Sequence, residues 1–254
     1  MVVAQFPVGF SVPGNLDTIL GVLSEAEPGD VMITPEGALT GCFVHGQADV
    51  ERLAEANPEH VAEAIDVVAD EVVRRGVNLW LGVCRRVGGA WFNEALGLLG
   101  DGTRLTYRKV NLSTAERGLF QAGDDLSVFE IPIASNSLRV GVQLCRELRY
   151  PEQWRSLAER GARLMLHLNH GVGDSTVFAT WRAMLITRAA ENQRFLVSAN
   201  AASSFQHCPS MVIGPDGAVV AELTTGKTQV LRVDVDLENT ADWYLGQRRR
   251  DLGF

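Results

Sequence analysis

Residues 77–109 read VNLWLGVCRRVGGAWFNEALGLLGDGTRLTYRK, and this stretch decides the fold class. It holds three apolar runs, joined by Gly-Gly at 88–89 and by Gly-Asp-Gly at 100–102. Links this short close β-hairpins and leave no room for a helix between the strands. A regular eight-fold α/β barrel alternates strand and helix throughout, so the stretch argues against that fold.

Strands and helices alternate on either side of this antiparallel stretch. The other predicted strands lie at 2–6, 31–34, 126–131, 138–144, 163–168, 195–199, 211–214, 217–222 and 228–234. Helical periodicity is clearest over 58–75, and further helices are predicted at 14–25, 151–160 and 177–191. Strand–helix–strand stretches favour parallel pairing, so we expect mixed sheets covered by helices.

Composition and charge narrow the class of protein. The chain has 254 residues, of which 46% are hydrophobic and 21% charged, and this excludes a disordered or fibrous chain. Its formal net charge of −8 disfavours nucleic acid or an anionic membrane as a partner, because both require a basic face. No apolar run approaches the ~18 residues of a membrane helix. With no linker or repeat, residues 1–254 are predicted to form one domain.

The cysteines are expected to be reduced. Cys42, Cys84, Cys145 and Cys208 lie far apart and form no CxxC pair. The first ten residues, MVVAQFPVGF, lack a basic region and are typical of a strand, so no secretion signal is expected. These features predict free thiols in a cytoplasmic protein.

Three segments share one design, an apolar strand that ends in a reactive side chain. The strand at 31–34 leads to Glu36, the strand at 103–108 leads to Lys109, and the strand at 138–144 leads to Cys145. In open α/β sheets, binding sites lie beyond the carboxyl ends of the strands. We therefore expect a carboxylate, an ammonium and a thiol to meet in one crevice.

These three groups together suit acyl transfer from a C–N bond to water. A thiol attacks only as a thiolate, and at its free pKa of ~8.5 little is ionised near pH 7. A carboxylate can take that proton and pass it to the leaving amine, while an ammonium stabilises the oxyanion. Taken alone, each residue also fits a structural role: Cys145 as packed core, Glu36 as a turn cap and Lys109 as a surface lysine.

The same segments resemble the signatures of the nitrilase superfamily of carbon–nitrogen hydrolases. TPEGALTG at 34–41 is similar to the first motif, YRKV at 107–110 to the second, and GVQLCRELRYPE at 141–152 to the third. By this resemblance Glu36, Lys109 and Cys145 are the catalytic residues. FQAGD at 120–124 and RAAENQ at 188–193 extend the match over nearly the whole chain.

The resemblance implies an α/β fold, a four-layer α-β-β-α sandwich of two mixed sheets. It implies a small-molecule amide as substrate and a homodimer or higher homo-oligomer. It also implies a second glutamate in the loop after the lysine, a place that Glu116 occupies. Within the superfamily, the chain is expected to be amidase-like.

Three residues depart from the family's usual pattern. Asn111 stands where histidine is frequent, Arg146 where an aromatic residue follows the nucleophile, and Cys42 where tyrosine is frequent. None of them removes a catalytic group, so they bear on the substrate. Arg146 and Cys42 are therefore predicted to bind substrate, together with Asn169 and His170, which follow a strand near the expected rim of the site.

The two histidines of HLNH at 167–170 are also candidate metal ligands. Two histidines supply at most two ligands, and no acidic or cysteine partner stands at metal-binding spacing. No metal and no other cofactor is expected.

Two hypotheses from different classes follow. The first is a thiol amidohydrolase that cleaves a small non-peptide amide to an acid and ammonia or an amine. N-carbamoyl-amide hydrolysis, nitrile hydrolysis and acyl transfer to an amine are its variants. The second is a non-catalytic scaffold that kept the fold and lost turnover, as the departures at Asn111 and Arg146 would allow.

Overall fold

The computed structural model describes residues 1–42, 47–133, 136–173, 175–249 and 251, and its strands form two six-stranded sheets. Sheet one has the strand order β12-β1-β2-β3-β4-β5. Strand β1 pairs in parallel with β2, and β2 with β3, while the remaining pairs are antiparallel. The strands are β1 (Val2–Gln5), β2 (Val31–Ile33), β3 (Asn78–Val87), β4 (Ala90–Leu98), β5 (Arg104–Arg108) and β12 (Gln229–Arg232).

Sheet two has the order β11-β10-β9-β8-β7-β6. Its three central strands β7, β8 and β9 are parallel, and antiparallel strands flank them. The strands are β6 (Val128–Ile133), β7 (Asn136–Leu144), β8 (Leu164–Asn169), β9 (Phe195–Asn200), β10 (Met211–Ile213) and β11 (Val219–Glu222). Every strand predicted from the sequence is present, and both sheets are mixed.

The helices begin and end where the sequence places caps. Asn57 accepts a hydrogen bond from the Glu59 amide at the start of the long helix, and Gly76, at φ 66°, ends it. The first helix begins two residues earlier than predicted, because Ser11 caps it. The helices are α1 (Val12–Leu23), α2 (Gln47–Glu55), α3 (Pro58–Arg75), α4 (Pro151–Glu159), α5 (Phe178–Asn192) and α6 (Trp243–Gln247).

Helices α2 and α6 were not predicted from the sequence. The α2 segment QADVERLAE has few apolar residues, so its periodicity is weak. Its Leu53 is nonetheless buried, in a cluster with Cys84 and Phe120. Packing against the rest of the protein therefore stabilises a helix that the residue pattern of the segment does not predict.

Three apolar layers separate four layers of secondary structure. Ile19 of α1 and Val68 of α3 pack on one face of sheet one. Leu157 of α4 and Leu185 of α5 pack on one face of sheet two. The inner faces of the two sheets meet in a third core, whose members include Val3, Ile33, Trp80, Val140, Val142, Leu166 and Val197. The predicted four-layer α-β-β-α sandwich is confirmed.

The strand ends that carry the predicted reactive residues meet across the two sheets. The Glu36 amide, just beyond β2 in sheet one, donates to the carbonyl oxygen of Asn169 at the end of β8 in sheet two, at 3.3 Å. The sandwich therefore brings together chain segments that belong to different sheets. Among the residues that the structure describes, no helix is long and apolar enough to cross a membrane.

Removing a side chain from the core between the sheets should destabilise the protein. Leu166 is fully buried there, so we expect Leu166→Ala to lower the free energy of unfolding by about 2–5 kcal/mol, through lost burial and a residual cavity. Urea denaturation monitored by circular dichroism measures the change. Val220→Ala is the control, because Val220 is 48% exposed and should cost little. Equal losses for the two variants would contradict this assignment of the core.

Candidate active site

Close packing at two glycines positions Glu36. A Cβ atom on Gly82 of β3 would lie 2.2 Å from the Pro35 carbonyl oxygen, so only glycine lets the segment after β2 pack so tightly on β3. Gly37 has a φ of 64°, and a Cβ there would lie 2.3 Å from the Gly41 oxygen. Glu36 is 1% exposed, so this turn holds its carboxylate inside the protein.

Lys109 lies between two buried carboxylates. It follows β5, and its Nζ donates to Glu36 Oε1 at 2.7 Å and to Glu116 Oε1 at 3.0 Å. All three side chains are 2% exposed or less. The structure thus brings together three predicted site residues: Glu36 from one segment, and Lys109 and Glu116 from another that lies 73 residues further along the chain at Lys109.

The charges of these groups stabilise one another. Burial alone would raise the pKa of Glu36, but the Lys109 charge and the hydrogen bonds from Lys109 and Asn93 outweigh it, and the pKa lies below its usual value. Burial would likewise lower the pKa of Lys109, but the charges of Glu36 and Glu116 hold it well above its usual value. Glu36 is therefore an anion and Lys109 a cation at neutral pH.

Asn93 is a polar contact of the site that sequence reasoning missed. From β4, its Nδ2 donates to Glu36 Oε1 at 2.8 Å and to Glu116 Oε1 at 2.6 Å, so one amide group joins both carboxylates. Its carbonyl oxygen also accepts from the Lys109 amide at 2.9 Å. A signal was available: Asn93 and Glu94 form a polar pair inside an otherwise apolar strand.

Cys145 lies at a strained elbow between β7 and a 3₁₀ turn at Cys145–Arg149. Its φ of 42° is left-handed, a conformation that costs a non-glycine residue on the order of 1–3 kcal/mol and that persists mostly at functional sites. The residue as a whole is partly exposed, whereas Cys42, Cys84 and Cys208 are buried. All four cysteines are free thiols.

The surroundings of Cys145 keep its thiol protonated. Burial of the sulfur and the Glu36 charge raise the pKa of Cys145, while Lys109 and the backbone N–H of His170 lower it only in part. The net pKa lies well above that of a free thiol. A resting thiolate is thus disfavoured, and reaction at this sulfur requires a base to take its proton.

His167 supports the elbow and has no nitrogen free for a metal. Its Nε2 lies 2.9 Å from the Cys145 carbonyl oxygen and its Nδ1 2.9 Å from Ser198 Oγ. Burial lowers the pKa of His167 to about 4, so the ring is neutral, with Nε2–H as the donor to Cys145. Within the described part of the chain, no group of three or more His, Cys, Asp or Glu residues could hold a metal ion.

The residues predicted to bind substrate lie around the same groups. The Cys42 thiol donates to Glu36 Oε2 at 3.3 Å, and contact with Cys84 and burial keep its pKa well above the usual value. The backbone N–H of His170 faces the Cys145 sulfur. Asn169 is 1% exposed. Arg146 follows Cys145 directly, and its buried Nε has no hydrogen-bond partner among the described residues.

Comparison with known proteins identifies the class. The chain matches the family described as carbon-nitrogen hydrolase over residues 3–244 and belongs to that family. The sequence-based identification with the nitrilase superfamily is therefore confirmed, and so is the prediction of a hydrolase that acts on non-peptide C–N bonds.

Two relatives and one solved structure illustrate the similarity. The chain is 29% identical to an (R)-stereoselective amidase of Pseudomonas sp over 248 residues, 94% of this chain and 84% of the relative. It is 28% identical to an omega-amidase of Xenopus laevis over an alignment of 271 positions, which covers 98% of this chain and 94% of the relative. A mutant amidase from Nesterenkonia sp. AN1 has the same fold, with a TM-score of 0.78, 24% identity, and coverage of 99% and 96%.

The Nesterenkonia structure shows the result of Michael addition of acrylamide at the active-site cysteine of that protein. Both named relatives are amidases. The family match confirms a carbon-nitrogen hydrolase, and the names of both relatives agree with the amidohydrolase class predicted from the sequence.

Asn93 should matter more for turnover than for folding. Asn93→Ala removes one of the two donors that the buried carboxylates share, the other being Lys109. We expect kcat to fall by about tenfold or more, because losing a hydrogen bond to a buried charged group costs about 1–3 kcal/mol. Steady-state kinetics and urea denaturation would be measured together. Asn78→Ala is the matched control: Asn78 is a buried asparagine of β3 that donates to the Pro132 carbonyl oxygen, away from the site. Similar kcat values for the two variants would contradict the role of Asn93.

Proposed function

We propose that this protein hydrolyses a small non-peptide amide to a carboxylic acid and ammonia or an amine, through a thioester on Cys145. One arrangement carries the proposal. Glu36 is buried, ionised and hydrogen-bonded to Lys109, and its charge acts on the protonated thiol of Cys145, which lies at a strained elbow. A base that is charged at rest and a nucleophile that is neutral at rest suit proton transfer at the moment of attack.

In the first half-reaction, Glu36 takes the proton of Cys145 as the sulfur attacks the amide carbon. Lys109, held by Glu36 and Glu116, stabilises the oxyanion of the tetrahedral intermediate. Glu36 then gives the proton to the leaving nitrogen, the C–N bond breaks, and the thioester remains. The amine or ammonia leaves with the proton that the thiol lost.

In the second half-reaction, Glu36 takes a proton from water as the water oxygen attacks the thioester carbon. The C–S bond breaks, the sulfur regains a proton from Glu36, and the acid leaves. Glu116 exchanges no proton in this scheme. Its role is to keep Lys109 charged and in place, which its contact of 3.0 Å with Nζ supports.

The substrate is proposed to contact Arg146, Asn169, His170 and Cys42. Arg146 bears on substrate choice, because a guanidinium with a buried and unpaired Nε is suited to a carboxylate or carbonyl oxygen of a ligand. Cys42 contacts Glu36 as a neutral donor, so its proposed role is to orient the base rather than to react. The names of the relatives, a stereoselective amidase and an omega-amidase, support amides over nitriles.

The proposal extends to the organisation of the protein in the cell. We infer one domain over residues 1–254, a cytoplasmic location, no cofactor and a homodimer or higher homo-oligomer. Four free thiols are compatible with a reducing compartment. Trp243 and Tyr244, 60% and 53% exposed, form an aromatic pair on the surface that is suited to a subunit contact.

Replacing the proposed nucleophile tests the function directly. Cys145→Ala should abolish ammonia release from a panel of propionamide, succinamic acid, N-carbamoylalanine and propionitrile, while the circular dichroism spectrum stays that of the wild type. Cys208→Ala is the control, because Cys208 is a buried thiol that packs with Met211 behind sheet two. Retained turnover in Cys145→Ala would refute the mechanism. A wild type that cleaves no C–N bond would favour the scaffold hypothesis.

The pH dependence should separate this mechanism from a preformed thiolate–ammonium pair. The pKa of Glu36 lies below that of a free carboxyl and the pKa of Cys145 above that of a free thiol, so the base is ionised and the thiol protonated throughout the interval between them. We expect kcat/KM on the preferred amide to be flat from pH 5 to pH 8.5, the range to be measured. A thiolate with a lowered pKa would instead give a limb that rises with pH near neutrality. In Glu36→Gln, activity should be lost across the range.

A further inference from the structure

The proposed site has parts on two sheets, and one buried carboxylate joins them. Glu147, two residues after Cys145, is 0% exposed. Its Oε2 accepts from the Leu144 amide, directly before Cys145, at 2.8 Å. Its Oε1 accepts from the amides of Val110 and Asn111, directly after Lys109, at 2.9 and 3.0 Å. One side chain thus holds the main chain on either side of the thiol and the ammonium.

We propose that Glu147 is a positioning residue that fixes the Cys145 elbow of sheet two against the Lys109 segment of sheet one. It thereby keeps the thiol, the carboxylate and the ammonium in the relative positions that the reaction requires. This inference rests on the proposed function. It assigns to Glu147 no proton transfer and no contact with substrate.

The remaining partners of Glu147 belong to the same two parts of the fold. Tyr107 of β5 donates its hydroxyl proton toward the carboxylate, with both oxygens at 2.9 Å, and Gln153 of α4 donates to Oε1 at 3.3 Å. The carboxylate is therefore surrounded by donors from β5, the segment after it, β7 and α4. Each of these elements is tied to the others through two oxygen atoms.

Stability alone does not account for such a residue. A carboxylate without solvent contact is costly to bury, and well-packed apolar groups commonly stabilise a core as well as a buried charged group does. Geometry does account for it. Burial raises the pKa of Glu147, but backbone N–H donors face both of its oxygens from opposite sides, and an ionised carboxylate accepts through both. A displacement of about 1 Å between reacting groups can cost on the order of 100-fold in rate.

Glu147→Gln removes one acceptor with little change of volume. Its amide NH₂ would face a backbone N–H, either of Leu144 or of the Val110–Asn111 pair, so one of the two segments must move. We expect kcat on the preferred amide of the panel to fall by about 100-fold. KM should stay within about threefold, because a positioning residue that does not touch substrate leaves binding largely intact.

The matched control is Glu94→Gln. Glu94 is also a fully buried carboxylate, on β4, but its partners are Arg85 at 2.6 Å and Arg108 at 2.9 Å. The same substitution there should lower the melting temperature and leave kcat within about threefold. If both variants lose kcat in proportion to their melting temperatures, Glu147 has a merely structural role and the proposal is overturned.

A second measurement does not depend on turnover. Michael addition of acrylamide joins the Cys145 sulfur to the β-carbon and moves the thiol proton to the α-carbon, and intact-mass spectrometry gives its rate. Glu147→Gln should slow this addition at least about tenfold, since Glu36 and Lys109 no longer face the sulfur correctly. Glu94→Gln should not slow it, and Cys145→Ala should show no addition at this site.

The two proposals fail separately. Wild-type protein that cleaves no amide would overturn the proposed function, while the acrylamide rates would still decide the role of Glu147. An unchanged rate in Glu147→Gln would overturn that role alone. If Glu147→Gln does not fold, Glu147→Asp replaces it, because its shorter side chain keeps the charge but cannot reach both segments. It should then show the same slowing, and a wild-type rate would refute the proposal.

Discussion

The site depends on two sheets being held in register, because its charged groups come from one sheet and its thiol from the other. Glu36, Lys109 and Glu116 follow strands of sheet one, and Cys145 follows β7 of sheet two. The apolar core between the sheets sets their separation but is not directional. Directional contacts must therefore set the final alignment. The bond from the Glu36 amide to Asn169 and the carboxylate of Glu147 are such contacts.

Burial then decides the protonation state of each reacting group. Lys109 lies out of water between Glu36 and Glu116, and each charge is maintained by its partners against the cost of dehydration. The triad of charges sums to −1, which, together with burial, keeps the neighbouring thiol of Cys145 protonated. In the proposed mechanism the base therefore takes the thiol proton during attack. The low polarity that makes these charges costly to bury would also strengthen their interaction with a developing oxyanion.

The three residues that depart from the family's pattern make different contacts in the structure. Cys42 touches Glu36 and belongs to the support of the base. Asn111 gives its backbone amide to Glu147, so its main chain takes part in the alignment of the sheets. The guanidinium of Arg146 keeps a buried Nε without a hydrogen-bond partner in the described residues, and this atom supports the substrate contact proposed for it.

Much of the fold could be predicted from the sequence, because patterns among neighbouring residues specify its strands and turns. Alternating apolar residues define the strands, and short glycine links between residues 77 and 109 require antiparallel neighbours. The α2 helix could not be predicted, since it is stabilised by packing on the rest of the protein and its own apolar periodicity is weak. Asn93 and Glu147 could not be assigned to the site for a related reason. The sequence shows only that each is polar, and its partners come from distant parts of the chain.

Strand patterns and motif spacings are local properties, and they establish the class of fold, the family, and the order of Glu36, Lys109 and Cys145 along the chain. The folded arrangement is needed to show which groups are charged, which nitrogen of His167 carries a proton, and which carboxylate joins the two sheets. Protonation and alignment depend on burial and on contacts between residues distant in sequence, and these exist only once the sheets have packed face to face.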